Sequence, residues 1–151
     1  GNQVLGNNGA GLLVETLSSG DTIQIKGNII AHNSGSGVRV NGVGTYQIDQ
    51  NIFIANQNYA ISIKDNKEGS DHLLLITQNQ FVQNQNELIQ SEGIEHLIFG
   101  SNKFNLKPGV HSVFSGELQS IQASVLQNTY SKNDVVEIKV KSKCLKRKSE
   151  C

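Results

Sequence analysis

An all-β solenoid of short stacked strands is the fold class that this 151-residue sequence predicts. Three observations predict it. Asn recurs at 2, 28, 51, 79 and 102, with gaps of 26, 23, 28 and 23 residues, and the apolar residues around these positions fall into columns. Within each repeat the apolar residues alternate with polar ones at period two, as in Ile23-Gln24-Ile25-Lys26 and Val38-Arg39-Val40, the pattern of half-buried strands. Helical spacing is absent, and the breaks between alternating stretches are filled by Asn, Gly and Gln, with 17 Asn and 13 Gln in the chain. A period of this size dictates architecture, because one repeat cannot bury its apolar side alone and successive repeats must stack.

Each element follows from a column. The first strand of a repeat lies before the anchoring Asn, with Ile23, Tyr46, Leu74 and Leu97 five residues ahead of it and Ile25, Ile48, Ile76 and Phe99 three ahead. The second strand centres two residues after the Asn, on Val4, Ile30, Phe53, Phe81 and Phe104. A second Asn column, Asn7, Asn33, Asn56 and Asn84, marks the next corner. The third strand then carries Leu12, Val38, Ile61 and Ile89, followed two positions on by Val14, Val40, Ile63 and the exception, Ser91. Stacked Asn at one corner of consecutive coils can hydrogen-bond along the axis, and Asn tolerates the left-handed backbone of tight corners. The Phe column predicts rings stacked in the core at the inter-strand spacing of about 4.8 Å.

The regular coils are expected over residues 1–114. Residues 115–140 read as a degenerate last coil plus a closing strand, Val136-Glu137-Ile138-Lys139-Val140, that covers the open end. Residues 141–151 form a basic tail. Counted from Lys139, six cations against Glu150 give +5, and the remainder is 7 − 12 = −5. A basic run can meet nucleic acid, an import receptor or an anionic surface, and the reading adopted is a solvated terminus. Cys144 and Cys151 both lie there, so no disulfide framework holds the fold, and whether they pair stays open. Apolar runs of four or five residues exclude a membrane-spanning helix. The first residues already fit the repeat without an initiating Met, so the sequence reads as the C-terminal part of a longer protein.

Gly27-Asn28-Ile29-Ile30-Ala31-His32-Asn33 followed by Gly37-Val38-Arg39-Val40, and again Asn51 to Asn56 followed by Ala60 to Ile63, resemble the repeat of the right-handed parallel β-helix. The resemblance covers about residues 1–114. It implies an all-β, right-handed parallel β-helix of about five coils with a C-terminal capping strand, of the pectate-lyase-like superfamily. Members of that superfamily include polysaccharide lyases and hydrolases, uronan epimerases, tailspikes, adhesins and F-box-associated repeats, so the fold by itself does not choose among them. The segment from Glu15 to Gly20, with Gly35 to Arg39, loosely resembles the active-site coils of the alginate lyase and chondroitinase B family. That resemblance assigns Glu15 to a calcium-holding role and Arg39 to a catalytic one. The family's proton-abstracting Lys is missing, its neighbourhood here reading Ser18, Ser19, Gly20, Asp21.

Outward positions supply the other candidates. Arg39, Ser62 and Gln90 share a polar column able to hydrogen-bond a saccharide. Lys26 and Asp49 share another, one coil apart, and are expected to meet as a surface ion pair as well as to offer polar contacts. Asp65, Glu68 and Asp71 share one polar insertion without the spacing of a calcium loop. His32, His72, His96 and His111 have no repeated spacing and no zinc constellation forms. Tyr59 and Tyr130 are the aromatics outside the core columns, and no heptad or apolar outer stripe marks an oligomer interface. The expected function is engagement of acidic polysaccharide outside the cell or at its surface, not catalytic by this segment, with calcium as the one cofactor the resemblance allows. The alternatives are an active lyase or epimerase, and an adhesin-like or protein-binding scaffold. Nucleic acid is not the expected partner.

Overall fold

A computed structural model describes residues 1–15, 20–42, 44–64, 73–84, 88–94, 96–105, 112–118, 124–126, 129–130, 137–138 and 141–142. The insertion with Asp65, Glu68 and Asp71, as well as His72, His111, Cys144, Cys151 and the tail beyond Ser142, lie outside the described residues. The chain is all-β. In order it forms β1 (Gln3–Leu5), β2 (Leu12–Glu15), β3 (Thr22–Lys26), β4 (Ile29–Ala31), β5 (Val38–Asn41), β6 (Thr45–Asp49), β7 (Ile52–Ile54), β8 (Ile61–Lys64) and β9 (Leu73–Thr77). It continues with β10 (Gln80–Val82), β11 (Ile89–Ile94), β12 (His96–Gly100), β13 (Lys103–Asn105), β14 (Ser112–Leu118), β15 (Ser124–Leu126), β16 (Thr129–Tyr130), β17 (Glu137–Ile138) and β18 (Lys141–Ser142).

Every third strand joins the same sheet, because each coil returns to its starting direction one strand spacing along the axis. The result is a parallel β-solenoid of about four turns. One sheet runs β1-β4-β7-β10-β13-β16, a second runs β2-β5-β8-β11-β14-β17 with β18 also on β14, and a third runs β3-β6-β9-β12-β15. Register follows the columns read from sequence: Val4, Ile30, Phe53, Phe81 and Phe104 are successive partners, as are Ile23, Tyr46, Leu74 and Leu97. Tyr130, expected to stand free, takes the next register position of the Phe column. Glu137–Ile138 of the expected closing strand is the terminal strand of the second sheet.

Inward residues of all three sheets form one core, in which Ile30, Val38, Val40, Tyr46, Ile48, Phe53, Ile61, Ile63, Leu74, Ile76 and Phe81 are fully buried. Phe53, Phe81 and Phe104 stack at 5.2 Å per step with planes within 7° of parallel. This is the offset the coil spacing imposes on identical side chains. Ser91 is the discordant inward residue, fully buried with a hydroxyl that finds no partner among the described residues.

Two Asn ladders hold the corners. Along the first, the backbone N–H and Nδ2–H of each Asn both donate to Oδ1 of the Asn in the next coil, from Asn2 through Asn28, Asn51 and Asn79 to Asn102, at 2.9–3.2 Å. Along the second, Asn7, Asn33, Asn56 and Asn84 repeat the arrangement at 2.8–3.3 Å. The left-handed residue at each corner is the one before the Asn, not the Asn itself: Gly27, Gln50, Gln78 and Ser101 at one corner, Gly6, His32, Ala55 and Gln83 at the other. A non-glycine residue gives up roughly 1 kcal/mol in that conformation, which the buried amide bonds next to it offset. Gly37 is required for a different reason, since a Cβ there would lie 2.7 Å from the Ala60 carbonyl oxygen of the neighbouring coil.

Asn51→Ala would take from the Asn28 N–H and the Ile25 carbonyl their bonds to the Asn51 side chain, and from the Asn79 carboxamide oxygen one of its two donors, the Asn51 N–H remaining. The expected loss is at least about 2 kcal/mol, given 1–3 kcal/mol for each orphaned buried group. Gln24→Ala on the exposed surface should stay within about 0.5 kcal/mol of wild type. Urea unfolding followed by far-ultraviolet dichroism compares the two. In the same assay Ser91→Ala removes an unsatisfied buried hydroxyl and should raise stability by about 1 kcal/mol; a fall would mean that the hydroxyl has a partner.

Candidate functional site

The outward columns of the second sheet gather four of the residues singled out from sequence. Alternation in β2, β5, β8 and β11 turns Leu13, Arg39, Ser62 and Gln90 outward as register partners, and two positions on it does the same for Glu15, Asn41 and Lys64. Glu15 and Arg39 are thus diagonal neighbours on adjacent coils. Arg39 and Lys64 are likewise one diagonal step apart, roughly 8 Å between backbone positions from the strand spacing and the rise per residue.

Hydrogen bonds tie this face together. Arg39 Nε donates to Asn41 Oδ1 at 3.4 Å, and Asn41 Nδ2 donates to Glu15 Oε1 at 3.3 Å. Glu15 therefore reaches Arg39 through an amide rather than by direct pairing. Ser62 Oγ donates to Gln90 Oε1 at 3.2 Å, and Ser62 is only 4% exposed although its column faces outward. Gln90 is half-buried and Arg39 exposed. The polar surface on offer is thus the guanidinium, the Gln90 amide and Lys64, with Ser62 acting from beneath through Gln90.

Lys26 and Asp49 lie elsewhere. They are register partners on the outer face of the third sheet, Lys26 Nζ lies 3.0 Å from Asp49 Oδ2, and Thr77 Oγ1 donates to Asp49 Oδ1 at 3.0 Å. The expected ion pair forms, on a face different from that of Arg39, Ser62 and Gln90. Beside it, Gln24 donates to Gln47, and at the adjoining corner Gln50 donates to Gln78, so exposed amides repeat the ladder motif outside the core.

Sequence reasoning passed over Asn41 and Lys64, yet the signal was present: Glu15, Asn41, Lys64 and Glu92 each stand thirteen residues after a ladder Asn. The expectation that no apolar outer stripe exists is corrected here, because only the stacked register brings the residues into line. Leu5, the buried Ala31, Ile54 and Val82 form one column of the first sheet and Ile29 and Ile52 part of the other, with Leu5 51% exposed. Tyr59 is half-buried at the entry to β8. Among the described residues no group of three or more His, Cys, Asp and Glu converges, at Glu15 or elsewhere. No protein-family model, no curated protein and no solved structure matches the chain.

Exposure limits what the third-sheet pair contributes to stability. Lys26 is 59% exposed and Asp49 22%, so solvent screens their attraction to about 0–1 kcal/mol. Lys26→Ala should shift the urea midpoint by no more than that, and less in high salt; a larger loss would mark the pair as structural.

Proposed function

We propose that the outward face of the second sheet binds acidic polysaccharide without cleaving it. One observation carries the reading: Arg39 and Lys64 stand diagonally on one face, and among the described residues neither forms an ion pair with a carboxylate. Two cations beside an amide, neither paired directly with a carboxylate among the described residues, suit a chain that repeats carboxylates or sulfates along its length. Gln90, fixed from below by Ser62, suits sugar hydroxyls. The parallel sheet adds a regular, rigid backdrop, which limits the ordering cost on the protein side. Glu15, held by Asn41, repels a uronate and so orients it toward the cations. Calcium, if used, would enter with the glycan carboxylates and Glu15. Such a partner belongs outside the cell or at its surface.

Affinity electrophoresis through gels containing alginate, pectate or chondroitin sulfate, with and without calcium, tests this. Wild type should be retarded by at least one acidic polymer and not by a neutral glucan, with retardation falling as salt rises. Arg39→Ala and Lys64→Ala should each weaken apparent affinity about tenfold, as expected for a charge-assisted contact of about 1.5 kcal/mol. Equal retardation of variants and wild type overturns the assignment of the face. Unsaturated uronide absorbance appearing in the same mixtures would move the reading to a lyase and to Arg39 as a catalytic residue.

A second reading, a protein-binding scaffold, is favoured by a separate observation, the apolar outward strip from Leu5 to Val82 on the first sheet. Neither substitution touches that strip, so the absence of retardation by every polymer would favour it.

A further inference from the structure

The sequence holds two Asn-Gly dipeptides, Asn8-Gly9 and Asn41-Gly42. In such a pair the glycine nitrogen can attack the Asn side-chain carbonyl carbon, because no Cβ on the following residue blocks the approach. A C–N bond forms, ammonia leaves from the carboxamide, and the peptide nitrogen gives its proton to solvent. Water then opens the resulting succinimide at either carbonyl, yielding aspartate or isoaspartate. The reaction needs an Asn side chain that can turn back on its own main chain and a following N–H not held in a hydrogen bond.

The two sites differ in both respects. Asn8 and Gly9 are exposed at the corner after β1, and among the described residues nothing accepts from the Gly9 N–H or bonds to the Asn8 side chain. At the other site the Asn41 side chain is engaged at both ends, by Arg39 and by Glu15. The Gly42 N–H donates to the Lys64 carbonyl at 3.0 Å. Attack there requires local opening of a strand end first.

We propose that Asn8 is a site of spontaneous deamidation in the folded protein and that the stacking of the next coil protects Asn41. The location gives the modification a consequence. Asn8 follows Asn7, the first member of the second ladder, and the Gly9 carbonyl accepts the Gly35 N–H at 2.9 Å. An ideal Cβ on Gly35 would lie 2.7 Å from the Gly9 carbonyl carbon, so the two main chains are in close contact here. An isoaspartate lengthens the main chain by one methylene at that contact and loosens the Asn7–Asn33 step. A charged aspartate also appears on a corner where the next coils carry Ser34 and Gln57 at the same position. The amide that links Glu15 to Arg39 survives, so the Arg39 face keeps its geometry while the first coil ages. This inference does not depend on polysaccharide binding.

The test is peptide mapping by mass spectrometry of the full chain kept in mildly alkaline buffer, folded and in concentrated urea, with isoaspartate resolved by chromatography. In the folded protein Asn8 should convert roughly tenfold faster than Asn41, the factor expected from releasing one hydrogen bond of about 1.4 kcal/mol. In urea the two should convert at similar rates. Gly9→Ala should suppress conversion of Asn8 without disturbing the fold, since a Cβ on Gly9 meets nothing within 4 Å. Equal rates at the two sites in the folded protein overturn the proposal, as does an Asn8 that converts in urea but not when folded.

Discussion

Everything in this molecule depends on the buried carboxamide ladder. An Asn side chain with no access to water has to satisfy an oxygen and two N–H groups, and burying an unpaired amide costs several kcal/mol. In the regular coils each interior Asn meets that demand mostly from the adjacent coils: its oxygen takes two N–H donors from the coil before, while its own amide reaches the Asn after it and nearby carbonyls, as Asn51 reaches Ile25 of the coil before and Asp49 of its own. No single coil can close this account. The ladder therefore makes stacking obligatory and fixes its register, since a slip by one residue would orphan every amide along the corner at once.

Register in turn determines what the surface can be. Once the corners are pinned, period-two alternation sends the same sequence offsets inward in every coil. The Phe stack, the aliphatic columns and the outward rows all become straight lines parallel to the axis. The core tolerates little at these positions, as Gly37 shows against the Ala60 carbonyl. The outward rows are free to vary from coil to coil. That freedom is where Leu13, Arg39, Ser62 and Gln90 diverge in chemistry while keeping one geometry. It also yields three faces of different character: one carrying Arg39, Lys64, Glu15 and amides, one apolar, and one ion-paired with glutamine rows.

Much of this was legible in the residues. Asn spacing located both corners, and the columns of Ile, Val and Phe gave the strands and their partners, because those constraints act at fixed offsets along the chain. The Lys26–Asp49 pair was legible for the same reason. Other features were not. That the left-handed residue precedes the Asn depends on how the amide is aimed at the next coil, which no local preference encodes: Gln50, Gln78 and Ala55 are ordinary residues there. Ser62 reads as a surface hydroxyl, yet it is buried and serves Gln90. Lys64 and Asn41 stood in a readable column, but only the folded face shows that Arg39, Asn41 and Glu15 form one network.

By itself, then, the sequence determined the class of fold, the corners, the inward set and the stacking partners. Periodic hydrophobicity and a repeated buried amide leave one way of satisfying all of them together. Tertiary structure decided what faces share. Lys26 and Asp49 belong to a different sheet from Arg39, and the apolar residues Leu5, Ile29, Ile52, Ile54 and Val82 come together on a third. The physical reason is that offsets along a chain fix neighbours within a column, whereas the composition of a face depends on how many residues each corner consumes and on which side chains its neighbours cover.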